Sequence, residues 1–319
     1  MSYRPATRPT MYFAGVSTTG SSIRRVFPLW SERLGLDAEL VGVDFPLGAP
    51  PDDYRRFVSF LTEDPLSVGA LVTTHKIDLL ESCRDLFAEL DAHARALGEV
   101  SCLSKSANGL CGHAKDPITS GLALRAFVPE GHWSETGAAA FVIGAGGAAS
   151  AISWYLTADS DARPSALVIS DRNPGRLEKI RSLHARAGGD VPVELVEVHT
   201  AADNDRVLAE LPPGSLVVNA TGMGKDLPGS PLSDGAVFPA GGLVWELNYR
   251  GALVFLEQAR SQADARALVC EDGWTYFLHG WLQTIAEAFH VSVATEGPAF
   301  EELAALAEGV AALAEGVRT

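Results

Sequence analysis

The chain has 319 residues, 47% of them hydrophobic and 20% charged, enough to bury two modest cores, so two domains are expected. A formal net charge of −15 and a pI near 4.9 argue against nucleic acid and anionic membrane as partners, because both reward clustered Lys and Arg; a small-molecule substrate is the expected ligand. No run of about eighteen apolar residues occurs, the start MSYRPATRPT lacks the apolar core of a signal peptide, and Cys83, Cys102, Cys111 and Cys270 show no C-x-x-C spacing. Together these features read as a cytoplasmic chain with reduced thiols.

In chain order, MYFAGV (11–16) reads as a buried strand, followed by a helix near 22–35, the strand ELVGVDF (39–45), a helix near 52–62 and the strand VGALVTT (68–74). This alternation predicts an α/β domain with a mostly parallel sheet. Helical periodicity continues over 77–97, and 99–112 turns short and extended. FVPEGHWSETG (127–137) is rich in turn formers and marks the expected boundary, with one domain over 1–127 and a nucleotide domain over 128–274.

That second domain opens on AAAFVIGAGGAA (138–149), an apolar run that ends in a glycine turn and continues into a helical pattern at 148–157. Gly144, Gly146 and Ala149 fit the dinucleotide fingerprint G-x-G-x-x-G/A, whose glycines allow a tight turn and a close approach of backbone N–H groups to a pyrophosphate. SALVIS (165–170) reads as the next strand, completing a βαβ unit, and Asp171 stands at its end, where a carboxylate accepts hydrogen bonds from an adenosine ribose. A purely structural glycine turn is the alternative. Further strands are expected at VPVELVEV (191–198), SLVVNAT (215–221) and GGLVWELN (241–248). Past Gly273 the chain reads helical to its end, with FEELAALAEGVAALAEGV (300–317) amphipathic. Cys102, Cys111 and His113 lack a zinc spacing, so no metal is expected.

AGVSTTGSS (14–22), VTTHK (72–76) after Gly69, GEVSCL (98–103), GHAKDPITSG (112–121), VIGAGGAA, ISDRN (169–173), VVNATGMG (217–224) and LNYRGALVFLEQAR (247–260) follow one another along the chain. Over roughly residues 12–290 this collinear set resembles the shikimate and quinate dehydrogenases. The resemblance implies an N-terminal substrate domain, a Rossmann domain, C-terminal helices (about 275–319) that return to the first domain, and an active site in the cleft. It implies an NAD(P)-dependent oxidoreductase interconverting a ring hydroxyl and a ketone on a carboxylated cyclitol, acting as a monomer or homodimer.

The same resemblance makes Lys76 and Asp116 the catalytic pair that handles the hydroxyl proton. It places Ser21, Thr73, Ser101, Tyr249 and Gln283 on the substrate, and Gly144, Gly146, Gly147, Ala148, Asp171, Arg172, Asn219, Thr221 and Gly273 on the cofactor. His75 and His279, and Arg24 and Arg25 for a substrate carboxylate, are second choices, each with an ordinary structural or solvated alternative. The chain departs from the family pattern where Ile23 stands for a serine and Leu71 and Ser101 for asparagines. VTTHK is also one residue short before Lys76, and Gly121 lies five residues after Asp116. Replacing polar contacts by Leu and Ile should change which ring substituents are accepted. At 171–173 the chain has Asp-Arg-Asn; the carboxylate disfavours a 2′-phosphate, so NAD is expected over NADP, although Arg172 could serve either. A non-catalytic sensor of such a metabolite is the competing reading.

Overall fold

The computed structural model describes residues 3–160, 162–225 and 227–316. The chain divides into two compact units, Met1–Lys115 with Leu278–Thr319, and Asp116–Phe277. Residues 116–127, grouped above with the first domain, thus belong to the second unit. There they form the helix Asp116–Phe127, and the turn-rich stretch after it holds a short helix, His132–Thr136.

The first unit is built on six strands: β1 (Thr10–Gly15), β2 (Glu39–Asp44), β3 (Ser67–Val72), β4 (Glu89–Leu90), β5 (Cys102–Ser106) and β6 (Gly109–His113), in the order β2-β1-β3-β5-β6-β4. β1 pairs in parallel with β2 and β3, while β5 runs antiparallel to β3 and β6. Every residue of β1 is buried, as befits a central strand covered on both faces. The helix Ile23–Leu34 buries Ile23, Val26, Phe27, Trp30 and Ser31, one stripe at helical spacing, and stops at Gly35 with a left-handed φ of 67°. Pro51 opens the helix Pro51–Glu63, where its missing N–H costs nothing.

The continuous helical reading of 77–97 is corrected. The helix Lys76–Cys83 passes into a single 3-10 turn, the two-residue β4 follows, and a new helix, Ala92–Leu97, starts where the Asp91 side chain accepts the Ala94 N–H at 2.6 Å. Near the C-terminus the helices Trp274–Phe289 and Gly297–Gly316 are separated by a break at His290, whose φ is 53°. Val317 of the expected last helix lies outside the described residues. Trp30 Nε1 donates to Leu303 O at 2.8 Å, and Phe13 meets Trp281 edge to face at 5.0 Å, which ties the C-terminal segment into the first unit.

The second unit carries β7 (Ala140–Ile143), β8 (Leu167–Asp171), β9 (Val193–Glu197), β10 (Leu216–Asn219), β11 (Leu243–Glu246) and β12 (Val269–Glu271), in the order β12-β11-β10-β7-β8-β9. All neighbours are parallel. This is the doubly wound arrangement, with its topological switch between β7 and β10, where a crevice opens beyond the carboxyl ends of the strands. β12 was not expected from the sequence. Among the described residues no helix is long and apolar enough to cross a membrane, and no group of three or more His, Cys, Asp or Glu is placed to hold a metal.

Candidate functional site

The fingerprint turn sits at the carboxyl end of β7. Gly144 has a φ of +105°, and a Cβ there would meet Ala220 O at 2.9 Å, so the turn crosses the loop after β10 at backbone distance. Gly146 immediately precedes the helix Gly147–Trp154, and a Cβ on it would project into open space. That space, beside the unpaired N–H groups of a first helical turn that includes Gly147 and Ala148, fits a pyrophosphate. Ala149 is fully buried, which lets the helix lie close on the sheet. At the end of β8, Asp171 accepts the Ala145 N–H at 2.7 Å and the Asn173 N–H at 2.8 Å. Its carboxylate is thereby fixed against the glycine turn, with Arg172 exposed beside it and Arg176 at 3.9 Å.

Beyond β10 and β11 lies a fully bonded polar network. Glu246, at the end of β11, is 0% exposed; its Oε2 accepts from Asn219 Nδ2 at 2.7 Å and its Oε1 from Asn248 N and Nδ2 at 2.9 and 2.7 Å. Asn219 Oδ1 accepts the Thr221 N–H and hydroxyl, and both asparagine amides also donate to Met223 O. Burial pushes the Glu246 carboxyl up to about 7, against the hydrogen bonds from Asn248 and Asn219, with the Asp272 charge adding to the rise. Gly273 closes the network from the turn after β12: its N–H donates to Asn248 O at 3.1 Å, and a Cβ would meet Leu247 O at 2.0 Å. Tyr249, Trp274 and Phe277 form a half-buried aromatic group next to it.

In the first unit the quoted segments converge at one end of the sheet. The Thr73 N–H and hydroxyl donate to Ala14 O, Lys76 N donates to Thr73 O at 3.1 Å, and Val100 N donates to Lys76 O at 3.2 Å. Val72 N donates to Ser101 O, Ser101 N to His113 O, and Lys115 N to Ser101 Oγ at 2.8 Å. Lys76 is half-buried at the start of its helix, Ser21 is half-buried before the helix Ile23–Leu34, and Gln283 is half-buried on Trp274–Phe289. Lys76 belongs to the first unit and Asp116, one residue past its boundary, to the second.

No family model matches the chain. It is 31% identical to the shikimate dehydrogenase (NADP(+)) of Methanothrix thermoacetophila over 215 residues, 66% of this chain and 68% of that protein. The chain belongs to the shikimate dehydrogenase family. It is a divergent member of this family of NAD(P)-dependent dehydrogenases, and is 28% identical to the Paramagnetospirillum magneticum shikimate dehydrogenase (NADP(+)) over 80% of this chain and 83% of that one. Solved structures show the same fold. The chorismate mutase/shikimate 5-dehydrogenase fusion protein of Clostridium acetobutylicum has a TM-score of 0.70 at 20% identity, covering 98% of this chain and all of that one. Quinate dehydrogenase of Corynebacterium glutamicum, in complex with NAD, has a TM-score of 0.69 at 19% identity, covering 94% and 98%.

Within this family member the two apolar departures lie inside the first unit, Ile23 at 0% and Leu71 at 8% exposure. His75, a second choice for lining the cleft, is corrected to an interior residue. It is 1% exposed, its Nδ1 lies 2.8 Å from Tyr54 Oη, and its ring packs on Phe45; burial lowers its pKa and keeps it neutral. His279 is likewise buried, stacked on Phe300 at 4.6 Å. Arg24 and Arg25 are exposed. The sequence reading missed Glu246, Asn248 and a charged group in the first unit. In that group Lys115 Nζ meets Glu287 Oε2 at 2.5 Å, and His113 lies 3.5 Å from Glu287 and 3.6 Å from Asp91. A carboxylate inside the apolar run LVWEL was the available signal for Glu246.

Proposed function

We propose that the chain interconverts a ring hydroxyl and a ketone on a shikimate- or quinate-like carboxylated cyclitol, with NAD preferred to NADP. The observation that carries this reading is the open face of Gly146 at the switch point of the second unit, in a chain that keeps Lys76 and Asp116 in family order. The first unit serves the substrate and the second the dinucleotide. Gly144, Gly146, Gly147 and Ala148 would hold the dinucleotide, which would supply a hydride acceptor for the carbinol carbon. Lys76 Nζ, as the neutral amine, takes the hydroxyl proton as that hydride leaves. The Asp116 carboxylate accepts a hydrogen bond from the same hydroxyl beforehand and orients it. Ser21, Thr73, Ser101, Tyr249 and Gln283 hold the remaining ring substituents and the substrate carboxylate.

The test is the appearance of reduced nicotinamide when shikimate, quinate and related cyclitol acids are offered with NAD and with NADP. Reduction by one acid supports the reading; binding of nucleotide and acid without reduction supports a sensor instead.

Cofactor preference rests on Asp171. Two backbone N–H groups fix its carboxylate, so it does not swing away from a 2′-phosphate, and the nearby Arg172 and Arg176 offset only part of the repulsion. The relatives above carry NADP(+) in their names, so this is where the chain is expected to differ. The kcat/KM ratio should favour NAD by about tenfold, and Asp171→Asn should move it toward NADP, since about 1.4 kcal/mol is one factor of ten. A wild-type ratio near one, or in favour of NADP, removes the preference.

A further inference from the structure

The segment Asn219–Met223 begins at the last residue of β10 and packs Ala220 against the core of the second unit. It is held by a buried acid. Asn219 reaches back to Glu246 Oε2, Asn248 reaches Glu246 Oε1 through both its backbone and its side-chain N–H, and both amides then grip Met223 O at 3.2 and 3.0 Å. Three of these N–H bonds end on Glu246, and an ionised carboxylate is acceptor-only; an amide side chain at 246 puts an N–H donor opposite one of them. The same loop backs the fingerprint, because Ala220 N donates to Ile143 O and Ala220 O lies against Gly144.

We propose that Glu246 is a positioning residue for the dinucleotide: its carboxylate sets the Asn219–Met223 segment, and through it the glycine turn that the segment backs. The inference rests on the dinucleotide reading given above. Asp272 in the turn after β12 is the charged neighbour that acts on this carboxyl, and its negative charge favours the protonated form, as burial does. With its carboxyl raised to about 7 by burial, protonation at lower pH should cost the network one of its acceptors.

The test is NADH binding by the full chain, followed through the nucleotide's own fluorescence at about pH 6 and about pH 8, with wild type, Glu246→Gln and Glu246→Asp. The dissociation constant of wild type is expected to rise about fivefold or more on going to the lower pH, since each unit below the pKa removes about tenfold of the carboxylate form. Glu246→Gln is expected to bind about tenfold more weakly at both pH values, with no pH slope and with secondary structure intact. Glu246→Asp keeps a charge in the same pocket and is expected to restore the slope. Wild-type affinity in Glu246→Gln, or an unchanged slope in it, overturns the proposal. Should Glu246→Gln fail to fold, a Glu246→Asp protein that folds and shows no slope overturns it equally. Absence of NADH binding by wild type at both pH values removes the dinucleotide reading itself, and this inference with it.

Discussion

Lys76→Ala is expected to lower kcat by about a hundredfold to ten-thousandfold while leaving NAD affinity within about twofold, the range for loss of a positioned proton-transfer group. The selectivity of that loss follows from how the residue is placed. Its backbone does the structural work of the segment: Lys76 N donates to Thr73 O, Lys76 O accepts from Val100 N, and the residue opens the helix Lys76–Cys83. Alanine keeps both backbone bonds and is a better helix former, so the fold of the first unit should survive. The cofactor fingerprint lies in the second unit, on a separate stretch of the chain. Steady-state kinetics with the best acid of the panel, paired with NADH titration, separates the outcomes. Equal losses in turnover and nucleotide affinity would assign Lys76 a structural role.

Gly273→Ala should be the most damaging single substitution in the second unit. A Cβ at this position meets Leu247 O at 2.0 Å, Leu247 C at 2.5 Å and Asn248 C at 3.2 Å. All three are backbone atoms, so no flexible side chain can move aside, and β12 must separate from the segment after β11. The expected cost is about 3 kcal/mol or more, in the range reached only by severe steric or buried-polar defects. Because Gly273 N donates to Asn248 O, the displacement also loosens the Asn248 hold on Glu246. A urea unfolding midpoint equal to that of wild type would show that the close crossing is absent.

Long apolar periodicity made most of the fold readable. β1, β3, β7, β10 and β11 are runs buried on nearly every residue, and the helix Ile23–Leu34 carries its buried stripe at regular spacing, so each is visible to a window of about a dozen residues. β4 and β12 have two and three residues and half-exposed sequences, too short for either period to register, and their pairing is decided by neighbours far along the chain. The division of the chain before Asp116 was also hidden, since turn formers at 127–137 are the louder signal although the helix Asp116–Phe127 already belongs to the second unit.

In the site, the glycines and Asp171 were legible because a turn chemistry demands them. Glu246 was not, because its meaning lies in Asn219, twenty-seven positions away, and in a burial that no linear pattern records. Ile23 and Leu71 were read as altered ligand contacts; their burial shows that they also fill the interior of the first unit.

The first unit is assembled from two stretches of chain separated by the whole of the second. Trp30, which has no exposed surface, completes its hydrogen bonding with Leu303, a partner 273 positions later. As the polypeptide leaves the ribosome, the sheet of β1 to β6 must therefore wait with the face that receives Trp281 and Leu303 uncovered, while the Rossmann unit, continuous in sequence, can close on itself. Contacts of such high sequence separation form late and slowly. The interval between them is when this chain is most exposed to aggregation, and chaperone dependence during synthesis should concentrate on the N-terminal third.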